Sequence, residues 1–133
     1  QIADSPAIGG SFSQADNRGQ HSLAAFAGSG ERGELMRKFT FLKPGNYRFA
    51  ARYQAQESAP DSEVRWDLQC LNASGNVSKW SVTAPVRQGG FASSQDFTLG
   101  ADCPYQMLTL QVAGGSGQLG AEFTLQSVGI VRR

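Results

Sequence analysis

Hydrophobic residues recur at every second position along most of this chain. Tyr47, Phe49, Ala51 and Tyr53 alternate with Arg48, Ala50, Arg52 and Gln54. Val64, Trp66, Leu68 and Cys70 alternate with Arg65, Asp67 and Gln69, and Leu108, Leu110 and Val112 with Met107, Thr109 and Gln111. A period of two marks strands with one face buried and the other in water. Residues 35–42 read as a further strand, with Phe39 and Phe41 on one face. Lys43-Pro44-Gly45-Asn46 turns it into the next, because Pro presets φ and Gly supplies a positive φ. Val77 to Val82, carrying Trp80, and Phe91 to Leu99 are shorter strands. In the last strand, Ala121 to Val131, Phe123 and Leu125 fall on the opposite parity from Val128 and Ile130. Its buried face must switch near Ser127 to Gly129, which points to a bulge or to burial on both sides.

Polar or glycine-rich breaks separate these runs, at Gln56 to Ser62, Asn72 to Asn76, Gln88 to Gly90 and Gly114 to Gly117. The first forty residues are less clearly patterned. Ile8, Phe12 and Ser22 to Ala27 read as strands; a helical turn over Ser22 to Ala27 is the alternative, too short to stand alone. Residues 30–38 have helix-like charge spacing weakened by two glycines. Eight or nine strands and no helix predict an all-β fold, an antiparallel β-sandwich with jelly-roll topology. Its 133 residues fit a single domain spanning 1–133. The start at Gln1 without Met suits a processed chain or a domain excised from a larger protein.

Composition sharpens the reading. Sixteen glycines, about 12% against a usual ~7%, favour tight turns over helices. The formal net charge of +1 argues against a charge-driven nucleic-acid or membrane-surface binder. No apolar run approaches the roughly 18 residues that span a bilayer, so no membrane insertion is expected. His21 is the single histidine, which leaves a His-based zinc site or a Ser–His–acid triad without its parts. Cys70 and Cys103 sit where strands could neighbour each other. A disulfide between them would close 32 intervening residues and imply an oxidising compartment; two buried thiols of a cytosolic protein are the alternative.

The segment Phe39-Thr40-Phe41-Leu42-Lys43-Pro44-Gly45-Asn46-Tyr47-Arg48-Phe49 resembles a recurring feature of jelly rolls of the carbohydrate-binding-module, galactose-binding-like type. Val64-Arg65-Trp66-Asp67-Leu68-Gln69-Cys70, with Cys103-Pro104-Tyr105-Gln106-Met107-Leu108-Thr109-Leu110, narrows it. Together they look like the C-terminal domain of bacterial exopolysaccharide-associated tetratricopeptide proteins, over about residues 35–131. The last strand of such modules often carries Asp-Asp-Val, whose acid helps to bind a structural calcium. Here the matching stretch is Leu125-Gln126-Ser127-Val128, and an amide and a hydroxyl are weaker ligands for a hard cation. No cofactor is therefore expected.

Sugar recognition needs apolar ring faces against aromatics and polar side chains for the hydroxyls. Trp80, in the polar context Ser78-Lys79-Trp80-Ser81, could be an exposed stacking platform or could pack its short strand onto the sandwich. Trp66, Tyr47 and Tyr53 read as core, while Tyr105 at a strand start could line a rim. Arg48, Arg52 and Gln54 on one strand, and Arg65, Asp67 and Gln69 on another, would form one binding face if the strands shared a sheet. Arginine there would read carboxylates such as those of uronic acids; a merely solvated polar face is the plainer reading. Asp61, Glu63, Asp67, Asp96, Asp102 and Glu122 could supply a glycosidase with two carboxylates roughly 5–10 Å apart, but scattered acids are common and no enzyme is expected. Asn72-Ala73-Ser74 and Asn76-Val77-Ser78 match the glycosylation acceptor pattern and read as turn residues.

The expected function is thus non-catalytic binding of a polysaccharide or oligosaccharide, such as a bacterial exopolysaccharide. The module would be periplasmic, secreted or at the cell surface, beside other domains of a parent protein. The alternative is a structural or protein-docking module of a secretion or cell-surface system.

Overall fold

The computed structural model describes residues 8–12, 23–28, 30–55, 61–72, 75–115 and 120–133. His21, Ser22, most of the expected polar loop (residues 56–60), Ala73, Ser74 and part of the last glycine-rich turn (residues 116–119) lie outside the described residues.

Nine strands appear among the described residues: β1 (Ile8–Phe12), β2 (Leu23–Ala27), β3 (Arg32–Thr40), β4 (Gly45–Ala55) and β5 (Glu63–Asn72), then β6 (Gly75–Pro85), β7 (Gly89–Leu99), β8 (Tyr105–Ala113) and β9 (Ala121–Arg132). They build two antiparallel sheets. Sheet A runs β1-β2-β9-β4-β7 and sheet B runs β3-β8-β5-β6. This is the expected β-sandwich. Residues 23–27 form a strand and not a helical turn, and residues 32–38 extend β3, so their helix-like charges lie along a strand. Sheet pairing overrides local propensity at such short segments.

The core lies between the sheets and is supplied by the alternating positions. Tyr47, Phe49, Ala51, Tyr53 and Ala55 of β4 point inward, facing Val64, Trp66, Leu68 and Cys70 of β5. The Phe49 ring stands 5.0 Å from Trp66 and 5.1 Å from Trp80. Each fully buried ring or aliphatic side chain contributes roughly 1.5–3 kcal/mol. The face switch in β9 occurs at Gln126: Ser127 pairs with Arg52 and Leu125 with Tyr53, leaving Gln126 as the extra residue. That lies just upstream of the expected Ser127–Gly129.

Cys70 and Cys103 form a disulfide, S–S 2.08 Å, tying the end of β5 to the β7–β8 connection. Beside it the Gln106 side chain is fully buried. Its Oε1 accepts the Leu42 N–H at 2.8 Å and the Thr40 hydroxyl at 2.9 Å, and its Nε2 donates to the Cys103 carbonyl at 2.8 Å. A single amide therefore satisfies backbone groups on both sides and pins the β3–β4 connection to the start of β8.

Candidate functional site

The residues expected to bind separate into three places. Arg48, Arg52 and Gln54 project from β4 on the outer face of sheet A. Arg65, Asp67, Gln69 and Tyr105 project from β5 and β8 on the outer face of sheet B. Trp80 is in the core. The two polar groups cannot form one site, because β4 and β5 belong to opposite sheets and the core lies between them.

Trp80 is not an exposed platform. It is 8% exposed, pairs with Leu68 and packs its ring 5.1 Å from Phe49 and 5.5 Å from Phe97. A register shift at Lys79 separates Ser78 from Trp80 and turns the indole inward despite its polar neighbours. Asp67 is also corrected: it is 4% exposed, and one carboxylate oxygen accepts hydrogen bonds from Arg65 and Ser81. It braces sheet B and offers little to a ligand.

On sheet A, small residues surround the long ones. Ala50 lies between Ser94 and Gly129, and Arg52 lies between Ala92 and Ser127. Gln54 pairs with Gly90, and its Oε1 lies 3.7 Å from where a Cβ on Gly90 would sit. The result is a floor of small side chains crossed by the row Asn46 to Gln54, roughly 27 Å long at strand rise. Arg48 is tied to Asp96, with Nε 2.6 Å from Oδ1, and Arg133 donates to the other oxygen at 2.9 Å. The Arg48 hydrogen bond, aided by the charges of Arg133 and Arg48, holds the Asp96 carboxyl below its usual range. Arg52 is exposed and has no ion-pair partner among the described residues. At the Asp96 end, Asn46, Phe97, Thr98 and Arg133 line a depression of about 410 Å³.

On sheet B, three rings gather at one end of the outer face. Phe41 is 73% exposed, Phe39 55% and Tyr105 52%. Phe39 pairs with Met107, which pairs with Gln69; Tyr105 pairs with Leu71. The Phe41 and Tyr105 rings meet edge to face, 5.5 Å apart. Sequence reasoning placed Phe39 and Phe41 on one face without finding it to be the wet one. The available signal was that both share parity with Arg37 and Lys43. A register shift between Glu34 and Met36 hides it, by sending Leu35 inward although Leu35 has that same parity.

The candidate acids are dispersed. Glu63 and Asp67 share a face of β5 but stand roughly 13 Å apart at strand rise, beyond the usual reach of a glycosidase pair. Asp96 and Glu122 belong to sheet A. In the stretch Leu125 to Val128, Leu125 is buried in the core, and Gln126 and Ser127 offer an amide and a hydroxyl in place of a carboxylate. Among the described residues, no group of three His, Cys, Asp or Glu side chains could hold a metal ion.

No family model and no curated protein matches the chain. Solved structures do share its fold. TmCBM61, solved with β-1,4-galactotriose, superposes with a TM-score of 0.63 at 13% identity, covering 98% of this chain and 85% of that one. A family 16 carbohydrate-binding module gives 0.57 at 17% identity, covering 92% and 85%. The CBM22-1–GH10 modules of Clostridium thermocellum endo-1,4-β-D-xylanase 10B, solved with xylohexaose, give 0.59 at 13% identity, covering 95% of this chain and 24% of that one. At these identities the likeness is one of fold, the β-sandwich of carbohydrate-binding modules.

Proposed function

We propose that this chain is a non-catalytic polysaccharide-binding module that seats an extended glycan strand across the outer face of sheet A. One observation carries the reading: Arg52, without an ion-pair partner among the described residues, stands with Gln54 on a floor of Ala50, Ala92, Ser94, Ser127 and Gly129. Small side chains let a sugar chain approach the backbone. The guanidinium and the amide supply planar donors for hydroxyls or for a uronic-acid carboxylate. The site is shallow, binds weakly per copy and works beside other modules, where linkage raises the effective concentration. Binding needs no metal in this reading. The disulfide supports an extracytoplasmic setting. Bacterial exopolysaccharides, many of them acidic, are the polymer class we favour.

The test is a glycan array of neutral and acidic polysaccharides, read with calcium and with a chelator. Wild type should bind an acidic polymer equally in both. Arg52→Ala should weaken binding about tenfold or more, as loss of a charge-assisted contact would, and Arg52→Lys should restore part of it. Silence across the array, or binding that Arg52→Ala leaves intact, would sink the reading.

A further inference from the structure

The outer face of sheet B is polar at one end and aromatic at the other. At the aromatic end Gln106 fixes Leu42 and Thr40, so the intervening Phe41 is held outward against Tyr105. Two of the chain's three lysines, Lys43 and Lys79, lie at this end. Lys43 follows Phe41 by two residues, and Lys79 is the extra residue of β6 opposite Leu68 and Gln69, whereas Lys38 pairs with Leu108 and lies on the other face of β3. Each is exposed, and none has an ion-pair partner among the described residues. Arg37, by contrast, is held by Glu34 at 2.9 Å. Asp102, three residues before Tyr105, is the acid closest in sequence to the rings. Apolar rings thus lie between a cation just past the end of β3 and one on β6, the two edge strands of sheet B.

We propose that this end of sheet B docks the module onto an anionic lipid surface. The chemistry favours a lipid over a sugar in three respects. A stacked sugar ribbon needs ring faces presented in a common plane, whereas Phe41 and Tyr105 are inclined at 85°. Two of the three rings are phenylalanines, with no polar handle for hydroxyls. The flanking cations are lysines, point charges suited to a diffuse negative surface; a sugar carboxylate is better met by the planar fork of arginine. Aromatic rings at the headgroup boundary with lysines around them complement an anionic leaflet. The proposal stands independently of the glycan reading, since it uses the opposite face. If both hold, the module bridges a polymer to a membrane surface.

The test is co-sedimentation of the chain with phosphatidylcholine vesicles made with and without phosphatidylglycerol. Wild type should pellet only with the anionic vesicles, and less so at high salt. Phe39→Ser with Phe41→Ser should weaken partitioning about tenfold or more. Lys43→Gln and Lys79→Gln should each weaken it about fivefold. Every substituted side chain is exposed, so thermal unfolding reports that the fold is kept. Wild type that stays in the supernatant overturns the proposal. So does pelleting that the ring variants leave unchanged, which would be adsorption by charge alone. Ring variants that lose glycan binding or self-association while keeping vesicle binding overturn it as well.

Discussion

The Tyr53 hydroxyl accepts the Trp66 indole N–H at 2.6 Å and donates its own proton to Ser93 Oγ at 2.8 Å. Tyr53 belongs to sheet A and Trp66 to sheet B, so this chain of bonds crosses the core and joins the layers at a fixed offset. Hydrogen bonds in a dry interior are directional where hydrophobic contact is not. The pair therefore sets how the two sheets align.

Replacing Tyr53 by Phe keeps the packing but leaves the Trp66 N–H buried without an acceptor. A loss of about 1–3 kcal/mol is expected in urea unfolding. Burial pushes the Tyr53 phenol above its usual value, against the pull of its bonds to Ser93 and Trp66. The folded state thus favours the protonated phenol. That stability is present below the ordinary phenol value of about 10 and fades as pH rises beyond it towards the raised one. Tyr53→Phe should lack this alkaline component; an identical alkaline decline in both proteins would contradict the assignment.

Trp80 gives the opposite expectation. Its Nε1–H is buried and meets no acceptor among the described residues. Trp80→Phe removes that orphaned donor along with some ring contact, so the two effects offset each other. Trp80→Phe should cost less in chemical denaturation than Trp66→Phe, which would remove the hydrogen bond joining the two sheets at Tyr53. The reverse order would show that Trp80 does find a partner in solution.

The Cys70–Cys103 disulfide closes a loop with a sequence separation of 33. Chain-entropy reasoning assigns such a loop about 4 kcal/mol. The double Ser variant should therefore lose several kcal/mol in urea, and reduction of the wild type should reproduce most of the loss. Unchanged stability in both would mean that the reduced unfolded chain stays compact.

Asp96 neutralises two arginines at one end of the sheet A floor. Asp96→Asn should release Arg48 and Arg133 and strengthen binding of an acidic polysaccharide roughly three- to tenfold at low salt. Thermal stability should barely move, because the ion pairs are exposed. Titration calorimetry checks the first expectation, and weaker binding would place the polymer elsewhere.

The period of two fixed most of this architecture. Alternation in β4, β5 and β8 identified the strands and the inward residues, because a half-buried strand must segregate its side chains by face. It also put Cys70 and Cys103 where neighbouring strands could bring them together. Alternation could not say which strands share a sheet. Arg48 and Arg65 look alike in sequence, yet pairing through long-range backbone bonds sends them to opposite faces of the sandwich. Nor could it survive an extra residue. Register shifts beside Leu35, at Lys79 and at Gln126 each exchange inside for outside. One turns Trp80 into core, and another leaves Phe39 and Phe41 in water while Leu35 is buried. The residue types of the candidate sites were legible one by one. Their grouping was decided only by the tertiary structure, because a bulge and a sheet partner are properties of two strands together and neither strand encodes them alone.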